Sequence, residues 1–241
     1  MTREPAARRV AAALVLMTAT TMSLAAAPFE DTVAQRVLAC TGCHGPQGRA
    51  APDGYYPRIA GKPAGYLYNQ LLNFRDGRRP YLLMSRLLAP LGDAYLEEIA
   101  AHFATLDLPY APPAAAAPSD AQRALAVRLV TEGDASRHMP ACAACHGTAL
   151  TGTAPSVPGL LGLPRDYLNA QLGAWREGKR RAQSPDCMSQ VARALAPEEI
   201  AAIGSWLATQ PVPAGAKPAA AFATAPPLEC GGVAPAGAAA R

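Results

Sequence analysis

The sequence has 241 residues, and its 22 basic and 18 acidic side chains leave a formal net charge of only +4 at pH 7. So small a charge, with no stripe of Lys and Arg interleaved with aromatic residues, lacks the field that binding to a phosphate backbone requires, which excludes nucleic acid as a partner. Half of the residues are hydrophobic but only 6% are aromatic, so we expect something other than side chains to fill part of the core.

The first 27 residues have the layout of a secretory signal peptide. A basic stretch ends at Arg9, an uncharged apolar run extends from Val10 to Leu24, and three alanines precede Pro28. The apolar run is shorter than the roughly 20 residues of a membrane span, although an uncleaved anchor helix remains the alternative. We therefore predict a protein exported to the periplasm, an oxidising compartment in which spare cysteines can pair.

The remainder of the chain contains an internal repeat, in which the segment from about 33 to 106 returns from about 129 to 208. The offset stays at 101 or 102 over more than thirty residues, which makes chance a poor explanation. The matched segments are CTGCHG at 40–45 with CAACHG at 142–147, YLYNQL at 66–71 with YLNAQL at 167–172, and FRDGRR at 74–79 with WREGKR at 175–180.

Composition places the domain boundaries. A stretch rich in proline and alanine separates the two copies and suits an extended linker more than packed structure, and the same composition returns after Gln210. We predict a first domain over 28–108, a linker over 109–120, a second domain over 121–210 and an irregular tail over 211–241.

Within each copy the spacing of hydrophobic residues is helical. Tyr66, Gln70 and Phe74 fall on one helix face at a spacing of four, and Pro197 followed by two glutamates is typical of a helix N-terminus. No alternating strand pattern competes, so the predicted fold class is all-α. The other predicted helices cover 31–39 and 93–106 in the first copy, and 121–131 and 197–209 in the second.

Each copy carries one Cys-x-x-Cys-His motif. This motif is the attachment signature of c-type haem, in which two thiols bond to the porphyrin and the histidine supplies an axial nitrogen to iron. A redox disulfide and a zinc site built from both pairs are the alternatives, but neither explains the adjoining histidine and its repetition. We therefore predict two covalently bound haems. The motif residues are Cys40, Cys43 and His44 in the first copy and Cys142, Cys145 and His146 in the second.

The second axial ligands are sought among the methionines. Beyond the predicted signal peptide only Met84, Met139 and Met188 occur. Met84 and Met188 lie 40 and 42 residues after the histidines of their motifs, so they occupy equivalent positions and are the predicted ligands, with core filling as the alternative. Met139, like His102 and His138, has no counterpart in the other copy and is predicted to be a packing or surface residue.

These residues together resemble the dihaem cytochromes c of the c4 type. The resemblance covers the mature chain apart from the tail, and includes YPRIAG at 56–61 and VPGL at 157–160. It implies two tandem class I cytochrome c domains, each a few helices wrapped around one covalent haem. In such folds a backbone carbonyl about a dozen residues after the haem histidine accepts its ring N–H, a role that falls on Pro57 and Pro158.

Two cysteines lie outside the motifs. Cys187 directly precedes Met188, and Cys230 lies in the tail. We expect a disulfide between them, which would hold the tail beside the second haem. The alternative is a Cys187 thiolate that ligates the second iron in place of Met188, as in some thiosulfate-oxidising dihaem enzymes.

A haem closed by histidine and methionine has no open site for substrate, and a thioether ligand raises its reduction potential. The resemblance implies a carrier of single electrons, not an enzyme, between a quinol–cytochrome c reductase or an exported dehydrogenase and a terminal oxidase, with peripheral membrane association left open. An enzyme with a labile or Cys-ligated haem, of the thiosulfate dehydrogenase or peroxidase kind, is the alternative. The candidates to offset propionate charge, or to form an exposed basic helix end, are Arg75, Arg78, Arg176 and Lys179.

Overall fold

The computed structural model describes residues 31–233, so the predicted signal peptide lies outside the described residues. The described part is helical apart from a single two-stranded sheet, and the all-α prediction is confirmed. In the first copy the helices are α1 (Val33–Arg36), α2 (Leu38–His44), α3 (Ala64–Arg75), α4 (Leu82–Leu88) and α5 (Asp93–Thr105). In the second copy they are α6 (Asp120–Thr131), α7 (Cys142–His146), α8 (Arg165–Arg176), α9 (Cys187–Ala194) and α10 (Pro197–Thr209).

Local sequence explains several helix boundaries. Ser119 and Gln122 form a reciprocal capping box at the start of α6, each side chain accepting the other's backbone N–H. Asp186 caps α9 by accepting the N–H of Ser189 at 3.0 Å. The single helix predicted over 31–39 is instead two helices, because the chain turns at Val37, which is buried in the core.

Each copy has its own hydrophobic core. In the first, Leu67 of α3 packs against Leu96 and Phe103 of α5. In the second, α10 packs on both α6 and α8, and Leu129 and Leu207 are almost fully buried between them. These clusters provide the rigid walls on which the motif helices α2 and α7 are held.

A small sheet was not predicted. Strands β1 (Gly152–Thr153) and β2 (Val157–Pro158) pair antiparallel, with Gly152 opposite Pro158. Two residues per strand are too few to show an alternating pattern. The hairpin fixes the position of Pro158, and helix α3 of the first copy lies against β2, so the two copies meet at this point.

The segment between the copies has no helix or strand and is exposed over 111–117, while its ends contact the two domains. The buried guanidinium of Arg58 donates to the carbonyls of Leu108 and Pro109 and stacks over the ring of Tyr110 at 3.9 Å. Further along, the N–H of Ala114 donates to the carbonyl of Ala208. Because prolines interrupt local hydrogen bonding, the carbonyls of this segment are free to accept hydrogen bonds from the neighbouring domains.

The tail has no helix over 211–233. Its residues 214–233, named here the C-terminal strap, run back over the second copy, and Ala219 exchanges backbone hydrogen bonds with Gly152 and Ala154. None of the helices between residues 31 and 233 combines the length and the apolar character that a membrane span needs.

Candidate functional site

A single cavity of about 1540 Å³ extends through both copies. This is larger than the roughly 300–1,000 Å³ of a pocket for one small ligand. All eight predicted site residues line it. The structure therefore brings together the six residues of the two Cys-x-x-Cys-His motifs and the two methionines predicted as axial ligands. They are Cys40, Cys43, His44, Met84, Cys142, Cys145, His146 and Met188.

The first histidine is fixed by a hydrogen bond to the backbone. His44 ends helix α2 and is buried, and its Nδ1 lies 2.8 Å from the carbonyl oxygen of Pro57. Because a carbonyl only accepts, Nδ1 carries the hydrogen and Nε2 keeps its lone pair for a metal. Burial also lowers the pKa of His44, which favours the neutral imidazole that metal binding requires.

The second histidine repeats this arrangement. His146 ends helix α7, is equally buried, and its Nδ1 donates to the carbonyl of Pro158 at 2.7 Å. Burial is the main cause that lowers the pKa of His146, followed by the accepting carbonyl, which raises it, and the positive charge of Lys62, which lowers it. Both prolines therefore occupy the role that the family resemblance gave them.

The turn after each histidine needs glycine. Gly45 and Gly147 have φ angles of 74° and 80°. A Cβ on Gly45 would lie 2.2 Å from the carbonyl oxygen of Ala50, so any side chain there would displace the loop.

None of the four motif cysteines forms a disulfide; Cys40, Cys142 and Cys145 are partly buried, and Cys43 is exposed. Burial raises the pKa of Cys40 and Cys145, and raises that of Cys142 to about 11. A redox-active pair needs a lowered thiol pKa, so the local environment disfavours the redox-disulfide alternative. Within residues 31–233 no three Cys, His, Asp or Glu side chains are clustered to hold a metal ion, which also disfavours a zinc site built from both pairs.

The three methionines of the described residues lie in two different environments. Met84 on α4 and Met188 on α9 are partly buried and face the cavity. Met139 is buried in the second core and is a packing residue. His102 and His138 do not line the cavity, and His138 is exposed.

The predicted disulfide is present. Cys187 and Cys230 are bonded, with their Cα atoms 5.2 Å apart. The bond joins the strap to the residue beside Met188, and Phe222, Leu228 and Val233 of the strap line the cavity. A bonded Cys187 has no thiolate, so the alternative in which it ligates the second iron is not supported.

Of the four basic residues named for propionate contacts, only Lys179 lines the cavity, and it is exposed. Arg75 pairs with Asp93 at 2.7 Å, and Arg176 donates to the carbonyl of Leu195. Arg78 and Lys179 pair with the acidic residues of their own turns. Arg75, Arg78 and Arg176 therefore have partners outside the cavity.

Sequence reasoning missed two other basic residues, Arg79 and Arg180, which directly follow Arg78 and Lys179. Arg79 and Arg180 are buried, line the cavity, and stack over Phe74 and Trp175 at 4.4 and 3.6 Å. They belong to the matched segments FRDGRR and WREGKR, so the repeat held a signal: the last basic residue of each segment, unlike the one before it, is an arginine in both copies.

A network centred on these two arginines joins the copies. Arg79 donates to Gln70 of its own copy and to Gln171 of the other, at 2.9 and 2.8 Å. Arg180 reciprocates by donating to Gln171 and, at 2.8 Å, to Gln70. Arg79 also donates to the hydroxyl of Tyr167 at 3.0 Å. The network has approximate two-fold symmetry across the boundary between the copies.

This network also tests whether the cavity fits a porphyrin. Among the described residues no carboxylate forms a salt bridge with Arg79 or Arg180, and burial together with the charge of Arg79 lowers the pKa of Arg180 to about 10. Two buried cations without anions are costly unless charge of opposite sign is supplied. Porphyrin propionates would supply it, so the residues present fit two haems.

Comparison with known proteins agrees with this geometry. Residues 130–211 match the family model described as cytochrome c. The thiosulfate dehydrogenase electron acceptor of Stutzerimonas stutzeri is 38% identical over 172 residues, which cover 71% of this chain and 78% of that protein. The cytochrome c4 of Pseudomonas aeruginosa is 34% identical over 71% of this chain and 84% of its own length. The crystal structure of reduced cytochrome c4 from Pseudomonas stutzeri aligns with a TM-score of 0.63 and 30% identity, covering 73% of this chain and 95% of that chain.

Proposed function

Because the chain belongs to the cytochrome c4 family of dihaem cytochromes c, we propose that it is a periplasmic carrier that accepts single electrons from an exported thiosulfate-oxidising dehydrogenase and delivers them to a terminal acceptor. Membership of this family implies two covalent c-type haems and a role in electron transfer. The single observation that supports their placement is the pair of buried imidazoles, each with Nδ1 bonded to a proline carbonyl and Nε2 left for iron.

We assign the haem contacts by motif and by position in the cavity. Cys40 and Cys43 would hold the first haem through thioether bonds, with His44 and Met84 as axial ligands. Cys142 and Cys145 would hold the second, with His146 and Met188 as ligands. A bound haem of this kind supplies reversible one-electron chemistry between ferric and ferrous iron.

The chain's own residues would make this exchange efficient. The prolines hold each imidazole in one orientation, so little rearrangement accompanies a change of charge. Core side chains from both copies line the cavity and exclude water. At the boundary between the copies, Arg79 and Arg180 would hold the propionates while fixing the two domains to each other through Gln70 and Gln171.

The donor is proposed from a relative. The protein from Stutzerimonas stutzeri is named a thiosulfate dehydrogenase electron acceptor, and it matches this chain at 38% identity over most of its length. The bonded Cys187, which offers no thiolate to the second iron, and the two methionines facing the cavity as candidate axial ligands favour a carrier over an enzyme.

We expect the oxidised holoprotein to be reduced at both haems when mixed with an exported thiosulfate dehydrogenase and thiosulfate. Thiosulfate alone should leave it oxidised, because no substrate site is open on the iron. Stopped-flow absorbance of the haem bands would follow the reaction, with a mitochondrial cytochrome c as a control for non-specific reduction.

Two outcomes would contradict this proposal in different ways. Turnover of thiosulfate by the protein alone would make it an enzyme. Failure of the dehydrogenase to reduce it, while a chemical reductant still does, would leave an electron carrier with a different donor.

A further inference from the structure

The two copies differ in charge at equivalent positions in the cavity wall. One is Arg58, which corresponds to Gly159 but donates to carbonyls of the first copy and the segment that follows it; the other is Lys62, whose charge reaches the second copy. Lys62 in the first copy corresponds to Leu163 in the second, at the same offset of 101 that relates the helices. Both line the cavity. The backbone around them is alike, since Gly61 and Gly162 have φ angles of 71° and 69° and a proline follows in each case to cap α3 or α8. Equivalent turns therefore carry an ammonium group in one copy and an apolar side chain in the other.

Lys62 carries its charge across the boundary between the copies. It is 5% exposed, and its Nζ donates to the carbonyl oxygen of Gly159, which belongs to the second copy, at 3.3 Å. In the described part of the chain no carboxylate forms a salt bridge with it. Burial, and then the charge of Arg58, lower the pKa of Lys62 to about 8, so at neutral pH most molecules keep the ammonium form.

The ammonium group lies beside the backbone that orients the second histidine. Gly159 directly follows Pro158, whose carbonyl accepts the Nδ1–H of His146 at 2.7 Å. The ammonium group therefore bonds to the residue directly after the carbonyl that holds this imidazole. Arg79, another buried cation of the first copy's cavity wall that has no carboxylate partner among the described residues, has a counterpart in Arg180, whereas Lys62 corresponds to the apolar Leu163.

We propose that Lys62 is a positioning residue of the first domain that raises the reduction potential of the haem in the second domain relative to that of the first. This inference rests on the proposed haem assignments. Reduction adds one negative charge to the iron centre, and a fixed positive charge nearby favours it. Unit charges about 10 Å apart in a medium of effective dielectric constant about 20 shift a one-electron equilibrium by roughly tenfold. Such a difference would direct electrons within the molecule from the first haem toward the second.

The test separates the effect of the Lys62 charge on the haem potentials from the effect of side-chain size. In the Lys62→Met holoprotein the side chain keeps its length and loses its charge, and we expect the second haem to be about tenfold easier to oxidise at a fixed solution potential. The first haem should change by less than twofold. Lys62→Arg should stay within about threefold of the wild type, and Leu163→Met, which changes shape at the equivalent position without changing charge, should move neither haem.

Potentiometric titration followed by optical spectroscopy gives the two midpoints. NMR of the ligand methionine methyl groups in partly oxidised samples assigns each midpoint to its haem. A Lys62→Met protein with two unchanged midpoints, or with the shift confined to the first haem, would overturn the inference. If the wild type itself fails to titrate as two reversible one-electron centres, the proposed function fails instead, so the two failures are distinguishable.

Discussion

The Met188→Ala protein is expected to lose the weak red charge-transfer band of one ferric haem and to keep that of the other. The band requires a thioether sulfur on ferric iron, and Met188 is the sulfur that faces the second half of the cavity. The reduction potential of the same haem should fall by on the order of 0.1 V or more, since axial ligands set haem potentials over roughly 0.8 V and methionine lies at the high end.

A second methionine provides a matched control. Met139 is 4% exposed and packs in the second core, so Met139→Ala also removes one sulfur from the same half. Truncating such a residue should cost about 2–5 kcal/mol of unfolding free energy, with both charge-transfer bands retained. If Met188→Ala leaves the oxidised spectrum unchanged, Met188 is not the ligand. If Met139→Ala removes a band, the wrong methionine has been assigned.

The features that the sequence predicts well are those set by covalent spacing. Cys-x-x-Cys-His is contiguous, so its chemistry is readable without a fold. The disulfide between Cys187 and Cys230 was predictable because these were the two cysteines left outside the haem motifs, in a chain whose sequence predicts export. The carbonyls of Pro57 and Pro158 came from family resemblance, and their hydrogen bonds are present.

The features that were missed depend on which side chains meet across the boundary. Arg78 and Arg79 are adjacent in sequence, yet one pairs with Asp76 near the surface and the other is buried against the second copy. Composition does not distinguish them, because the partners that Arg79 finds in the second copy come from a helix about ninety residues away. The position of Lys62 was not predictable for the same reason, since the packing of α3 against β2 places the lysine at Gly159 of the second copy.

A further large effect on stability is expected for the C-terminal strap. Cys187→Ser combined with Cys230→Ser removes the cross-link, and leaves no unpaired thiol beside Met188. The two cysteines are 43 residues apart, and a disulfide closing a loop of that size stabilises a fold by about 2–4 kcal/mol. Denaturant unfolding followed by the haem absorbance should show a loss of that size.

The same variant should expose the second haem to added ligands. Strap residues Phe222, Leu228 and Val233 line the cavity, and the bond at Cys187 holds them there. With the strap free, imidazole should replace the second methionine faster than in the wild type, while the first haem keeps its rate, as stopped-flow spectra at increasing imidazole concentration would show.

Asn69→Ala is the control for the strap prediction. The amide of Asn69 donates to the carbonyl of Gly232 at 2.6 Å, which is a contact between the strap and the first copy. Losing one such bond costs about 0.5–1.5 kcal/mol and leaves the disulfide in place, so imidazole exchange at the second haem should stay at the wild-type rate. Equal exchange rates in the double serine variant and the wild type would mean that the packing of α9 alone holds Met188 on the iron, and that the strap stabilises the fold without guarding the site.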